Sequence, residues 1–262
     1  MTTGDIDLPL PADLDHWAFG FMLVLARIAG AMTLLPGLGE AASPTMLRAG
    51  LALCVSTLLL PVLLPALPLP PEASLTAAFM IIAEVLTGVW FGWLARLLML
   101  ALPVAGQFIA YMMGIANVLQ SGADLGPQTT VLARLFEVAA PMLIMVSGLY
   151  TLPLTALEGL YRLIPAGTLV PSGDGSETAI RLAAETFALA LRLASPFVLA
   201  SLVWQVATGL IARFLPRLQI YVAAVPGQIL GGLLLLASLS GALLAAWLDA
   251  ARGGLSVLPG SG

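Results

Sequence analysis

The amino-acid sequence predicts an all-α, polytopic membrane protein of about six apolar helices, and three observations carry that expectation. Of 262 residues, 60% are hydrophobic and only 9% are charged, with a mean hydropathy of +1.04. Soluble domains carry about 25% charged residues, so there are too few charges to cover a water-facing surface, and lipid is the better solvent. The charge-free stretches are also long, at 49–71, 97–123, 138–157, 193–212 and 218–248, where a helix needs about 20 apolar residues to cross a bilayer. Between and within them stand clusters of proline, glycine and polar residues, which end helices.

The first helix is expected over 14–35, where the run from Trp17 to Leu35 is broken only by Arg27. It stops at Leu35-Pro36-Gly37-Leu38-Gly39. The second covers 46–66 and leads into a stiff connection through Pro61, Pro65, Pro68, Pro70 and Pro71. The third covers 75–105 and carries Glu84 and Arg96. Pro103, Gly106 and Gly114 predict a break within 97–123 and a short additional helix around 104–118. The polar stretch 120–129 reads as a loop. Helices over 130–158, 180–213 and 218–249 follow, and the hydrophilic segment 165–178 (PAGTLVPSGDGSET) is expected as a connection in water. The whole is read as one helical membrane domain over 1–262, with a short acidic segment at 1–13 and a flexible tail at 252–262. Asp5, Asp7, Asp13 and Asp15 stand at the start and no arginine does. A cleavable secretory signal carries positive charge there, so the first helix is expected to be retained. Arginine placement favours a periplasmic N-terminus: Arg48, Arg134, Arg213 and Arg217 then fall near inside loops, and Arg162, Arg181 and Arg252 outside.

Several function classes lose their basis. Cys54 is the single cysteine and His16 the single histidine, whereas zinc sites gather three or four ligands. Neither GxxxxGK[ST] nor a strand-borne GxGxxG occurs. All ten basic residues are arginine, without a basic tract for nucleic acid. No enzyme activity, metal or cofactor is expected. What stands out is the set of polar residues inside apolar segments: Glu84, Arg96, Gln107, Asn117, Gln120, Arg134, Glu137, Gln205, Gln219 and Gln228. Such groups face protein or water rather than lipid. Glu84 and Arg96 are twelve residues apart, too far for a pair on one helix, whereas Arg134 and Glu137 at i,i+3 permit one. Interhelical hydrogen bonds, each contributing about 0.6 kcal/mol, are the first account of these residues; a surface buried against other subunits, or a conduit, is the sharper alternative. Gly88 and Gly92 form a GxxxG pair suited to close helix packing.

Several patterns together resemble one family. Leu25-Ala26-Arg27-Ile28-Ala29-Gly30 leads to Pro36-Gly37 and then Pro44-x-x-x-Arg48. Gly106-Gln107-Phe108-Ile109 leads to Met113-Gly114, a loop ending at Pro127, and Val131-Leu132-Ala133-Arg134. Ser147-Gly148-Leu149 and Leu163-Ile164-Pro165-Ala166-Gly167 follow, then Ala194-Ser195-Pro196, Gly209-Leu210-Ile211-Ala212-Arg213-Phe214-Leu215-Pro216 and Val225-Pro226. In this order, along roughly 17–245, they resemble the FliR-type flagellar export-gate proteins, whose virulence counterparts are the SctT-type proteins. The chain departs from the family pattern at Arg217-Leu218-Gln219 and Ala224-Val225, and where Ile115, Val118 and Leu119 stand in a loop that usually bears phenylalanine.

The resemblance implies a non-enzymatic subunit of a type III protein export gate in the bacterial inner membrane, at the flagellar basal body. FliP-type and FliQ-type subunits would be its direct partners, FlhB-type and FlhA-type export proteins its neighbours, and unfolded proteins its cargo. It implies helical hairpins within a helical assembly, so that part of the apolar surface is covered by sister subunits rather than lipid. It also implies a channel plug in the loop from Gly114 to Thr130, with Gly114, Ile115, Val118, Leu119, Gly122, Gly126 and Pro127 as its candidate residues. Glu84, Arg96, Gln107, Asn117, Arg134, Glu137 and Arg213 are the candidate contacts between helices or subunits. The injectisome counterpart is one alternative. A secondary transporter for a small solute, with Glu84, Arg96 and Glu137 as its site, is another, although the inverted repeats common in such proteins are not visible.

Overall fold

The computed structural model describes residues 14–39, 44–115, 129–170, 172–214 and 220–261. These residues form eight α-helices and one short 3-10 turn, and no strand occurs among them. The helices are α1 (Leu14–Met32), α2 (Thr45–Leu63), α3 (Ser74–Met99), α4 (Ala101–Met112), α5 (Val131–Ser147), α6 (Thr151–Leu163), α7 (Ser172–Phe214) and α8 (Ile220–Leu255), with the 3-10 turn at Leu64–Ala66. Among the described residues five helical spans are long and apolar enough to cross a membrane, or six if α5 and α6 count as one broken span. The protein is an all-α polytopic membrane protein.

Three of the expected helices differ in extent, each for a local reason. The segment 75–105 is broken at Leu100, so that Pro103 falls in the first turn of α4. N–H groups there have no partner within the helix, and proline's missing donor costs nothing. The segment 130–158 is two helices, because Gly148 adopts φ +74° and ends α5. That left-handed conformation is open to glycine at little cost. Finally, α7 begins at Ser172 rather than 180. The hydrophilic residues of this region do lie partly in solvent, as the exposed Ser176 and Glu177 show, but exposed polar residues are as compatible with a first helical turn as with a loop.

The chain divides into two compact units by the packing of its backbone. The division falls within α3, between Trp93 and Leu94, and within α6, between Leu154 and Thr155. The first unit takes the described residues up to Trp93, those of 155–171, and those from Pro259 on. Its core is Leu23, Val24, Ile28, Ala31, Phe91 and Leu157, all fully buried. Helix α1 meets the end of α2 and the 3-10 turn after it at Gly20, where a Cβ would lie 3.6 Å from a methyl of Leu60, 3.2 Å from one of Leu64 and 3.0 Å from one of Leu67. Helices α1 and α3 come closer still. A Cβ at Gly88 would run into the carbonyl oxygen of Arg27, one at Gly92 would lie 2.6 Å from that of Ala31, and one at Gly30 would lie 2.6 Å from that of Val85. The GxxxG pair therefore works within the chain, as a seat for α1. The stretch 252–262, read from sequence as a loose tail, is helical to Leu255, and Gly260 packs its backbone against Ala156 and Gly159 of α6.

The second unit takes the described residues of 94–154 and 172–258. Helix α4 packs against both α5 and α7, and α7 pairs with α8 as a hairpin. Gly106 lets α5 approach, since a Cβ there would lie 2.7 Å from the ring of Phe136 and 3.1 Å from the Cα of Ala133. Phe108 and Phe187 join α4 to α7 edge to face, 5.9 Å between centroids. Helix α8 is the least covered: in its most apolar stretch of 18 residues only 6% are buried within the chain, against 56% for the α3–α4 span.

Candidate functional site

Two polar constellations stand out, one in each unit. The first frames the segment between α4 and α5. Helix α4 ends in a Schellman turn. Gly114 takes φ +74°, its N–H donates to the Tyr111 carbonyl at 3.1 Å, and the Ile115 N–H donates to the Ala110 carbonyl at 3.1 Å. The other end of the segment is tied to the same helix. Gln107 accepts on its side-chain oxygen from both the N–H and the hydroxyl of Thr130, at 3.0 Å each, and its amide nitrogen donates to the Tyr111 hydroxyl at 3.1 Å. Thr130 in turn caps α5, its hydroxyl oxygen accepting from the Ala133 N–H at 3.2 Å. Thus Gln107, a candidate inter-helix contact, joins α4 to α5, and Gly114 and Ile115 form the C-terminal turn of α4. Asn117, Val118, Leu119, Gly122, Gly126 and Pro127 lie outside the described residues.

The second constellation is a buried ion pair. Arg27 of α1 meets Glu84 of α3 in a two-pronged contact, Nε to Oε2 at 2.6 Å and Nη2 to Oε1 at 2.9 Å, with both side chains fully buried. The turn after α6 completes it. Arg27 Nη1 donates to the Ile164 carbonyl at 3.1 Å, and the Gly167 N–H donates to Glu84 Oε1 at 2.6 Å. The guanidinium also lies over the Tyr161 ring, 3.9 Å from its centroid. Planar forks of donor and acceptor suit a dry site, since several hydrogen bonds replace the lost water at once. Sequence reasoning singled out Glu84 but looked for its partner on its own helix. Arg27 was visible as the one charge in the first apolar run, and a base and an acid in the apolar stretches of two different helices were the signal that could have paired them.

The remaining candidates sit apart from these networks. Arg134 Nη1 and Glu137 Oε2 pair at 2.7 Å, as their spacing permits, on an outer face of α5 with side chains 61% and 42% exposed. They are not buried within the chain. Arg96 is half-buried in the last turn of α3 and Arg213 is exposed at the end of α7. Glu84 is engaged by Arg27 and Gly167, while Glu137 has Arg134. No cluster of histidine, cysteine or carboxylate suited to a metal occurs among the described residues. Fixed hydrogen bonds and closely packed helices are what both constellations offer.

Residues 18–253 match the family described as bacterial export proteins, family 1. The flagellar biosynthetic protein FliR of Caulobacter vibrioides is 31% identical over 231 residues, covering 88% of this chain and 92% of that protein. FliR of Bacillus subtilis is 25% identical over 80% of this chain and 81% of its own length. FliR of Escherichia coli is 25% identical over 85% of each. On these matches, and on an all-helical apolar architecture over the same span, the chain belongs to the bacterial export proteins of family 1, as a FliR-type protein of the flagellar export apparatus.

Proposed function

We propose that the chain is a non-catalytic wall subunit of the flagellar type III export channel. It assembles in the inner membrane with FliP-type and FliQ-type subunits, beside FlhB-type and FlhA-type proteins, with its N-terminus on the periplasmic side. Unfolded export substrates pass through the channel, and the segment from Gly114 to Thr130 closes it at rest. The observation that carries this reading is the frame of that segment. Both its ends are fastened to α4, by the Gly114 turn and by the Gln107–Thr130 contact. Apolar residues between such fixed ends can close a pore by excluding water. The uncovered apolar face of α8 supports the subunit role, since so much exposed surface calls for lipid or neighbouring subunits.

Purification of the tagged chain in mild detergent is expected to bring down two further small helical membrane proteins; recovery of the chain alone would count against the assembly. Deletion of 116–124 in assembled gates is expected to let small ions leak, read as a loss of membrane potential. An unchanged potential, with the gate still assembled, would remove the plug from this proposal.

A further inference from the structure

The C-terminal end of α4 is also held from the other side. The last carbonyls of a helix lack partners within it. Here Gln228 of α8 supplies one, its amide Nε2 donating to the Met112 carbonyl at 2.7 Å. The Ser201 hydroxyl of α7, which also donates to the Val198 carbonyl at 3.0 Å, makes a second contact to the Met112 sulfur at 3.2 Å. The Gln228 amide also lies where a Cβ on Gly114 would touch it, at 3.9 Å. Both grips stand close to a proline inside a long helix: Pro226 is two residues before Gln228, and Pro196 five before Ser201. An internal proline removes one helix hydrogen bond and marks the place where a helix bends. Gly227, Gly231 and Gly232 soften the same turn of α8. Between α4, α7 and α8 lies a largely apolar cavity of about 210 Å³, lined in part by Met112, Met113, Phe197, Ser201, Trp204 and Gln228. It leaves methionine side chains room to repack.

We propose that Gln228 is a positioning residue, which with Ser201 sets the place and geometry of the α4 end from Met112 to Ile115, so that bending of the α7–α8 hairpin at its two prolines is relayed to that end. The inference deepens the channel reading above and rests on it for its consequence, because Gly114 opens the segment assigned there as the plug. Its geometric half concerns only the α4 end. The hairpin then acts as a lever: when it flexes at these prolines, the Gln228 amide withdraws from the Met112 carbonyl and the Gly114 turn loses one of its supports.

The test uses the full gate assembled in membranes, with Cys54→Ser and a reporter cysteine, Ile115→Cys. The rate of labelling by a soluble maleimide reads the α4 end, and membrane potential reads the channel. Gln228→Met keeps the side-chain length and removes the donor; it is expected to raise labelling about fivefold to tenfold, the shift that loss of one part-buried hydrogen bond gives. Gln228→His, whose ring N–H has similar reach, is expected to bring labelling back to within about twofold of the starting rate. A labelling rate unchanged by Gln228→Met overturns the assignment, and so does a His variant no different from the Met variant, which would mean lost packing rather than lost donation. If Gln228→Met does not accumulate, Pro226→Ala serves instead. It restores the helix N–H and is expected to lower labelling by stiffening the hinge, and an unchanged rate overturns the relay. Failure of the channel reading shows separately, as deletion of 116–124 without leak, while the labelling still judges Gln228.

Discussion

Glu84→Leu is expected to destabilise the chain by about 3–5 kcal/mol, the usual cost of stranding one member of a buried ion pair. The measurement is reversible unfolding of the purified chain in mixed micelles. Arg27→Leu is expected to be the milder change, because the two ions differ in what they can do alone. A carboxylate left behind still receives the Gly167 N–H. A guanidinium cannot shed its charge in a protein, and after Glu84→Leu it keeps only the Ile164 carbonyl and the Tyr161 ring. The double variant, with both replaced by leucine, removes both charges, and part of the loss is expected to return. Recovery stays short of complete, since the Gly167 N–H and Ile164 carbonyl are left without these partners, at about 1–3 kcal/mol for each group left unpaired. Losses that simply add in the double variant would show that Arg27 and Glu84 do not act as a unit.

Gly88→Ala is expected to cost about 1–3 kcal/mol or somewhat more, the range for overpacking a close contact, and more than any other single methyl group added to α3. The new methyl would meet the carbonyl oxygen of Arg27, which is backbone and cannot turn aside. The helices must therefore move apart, and the Arg27–Glu84 contact that spans them must lengthen. The two perturbations share one contact, so Gly88→Ala combined with the Arg27→Leu, Glu84→Leu pair is expected to cost less than the sum. Gly50→Ala on α2 is the control. Nothing lies within 4 Å of a Cβ there, and replacing an exposed helical glycine is expected to stabilise by about 0.5–1 kcal/mol. Equal effects at Gly88 and Gly50 would contradict the α1–α3 seat.

Which parts of this structure were legible in advance follows from the range of the interactions. Long apolar runs and their breakers are local, and they located α1, α2, α3, α7 and α8 as helices fit for a membrane. The short helix anticipated near 104–118 is α4, at Ala101–Met112. Where a single residue's conformation decided, the reading was weaker. Gly148 was legible as part of the Ser147-Gly148-Leu149 pattern, but only its φ of +74° shows that it divides α5 from α6. Gln107 was legible as a polar residue that needed a partner, but not as the acceptor that ties Thr130 to α4. Gln228 was legible in the same limited sense.

By itself, then, the sequence determined the solvent, the helical class, the order of the spans and, through its ordered motifs, the resemblance to an export protein that the comparisons established. These follow from composition and from neighbours along the chain. The partnership of Arg27 with Glu84, 57 residues away, and the closure of that pair by Ile164 and Gly167 were decided only in three dimensions. A charge in an apolar helix requires a partner, but which one it meets depends on which helices can approach. That approach is granted by Gly30, Gly88 and Gly92, whose missing side chains let α1 and α3 lie backbone against backbone.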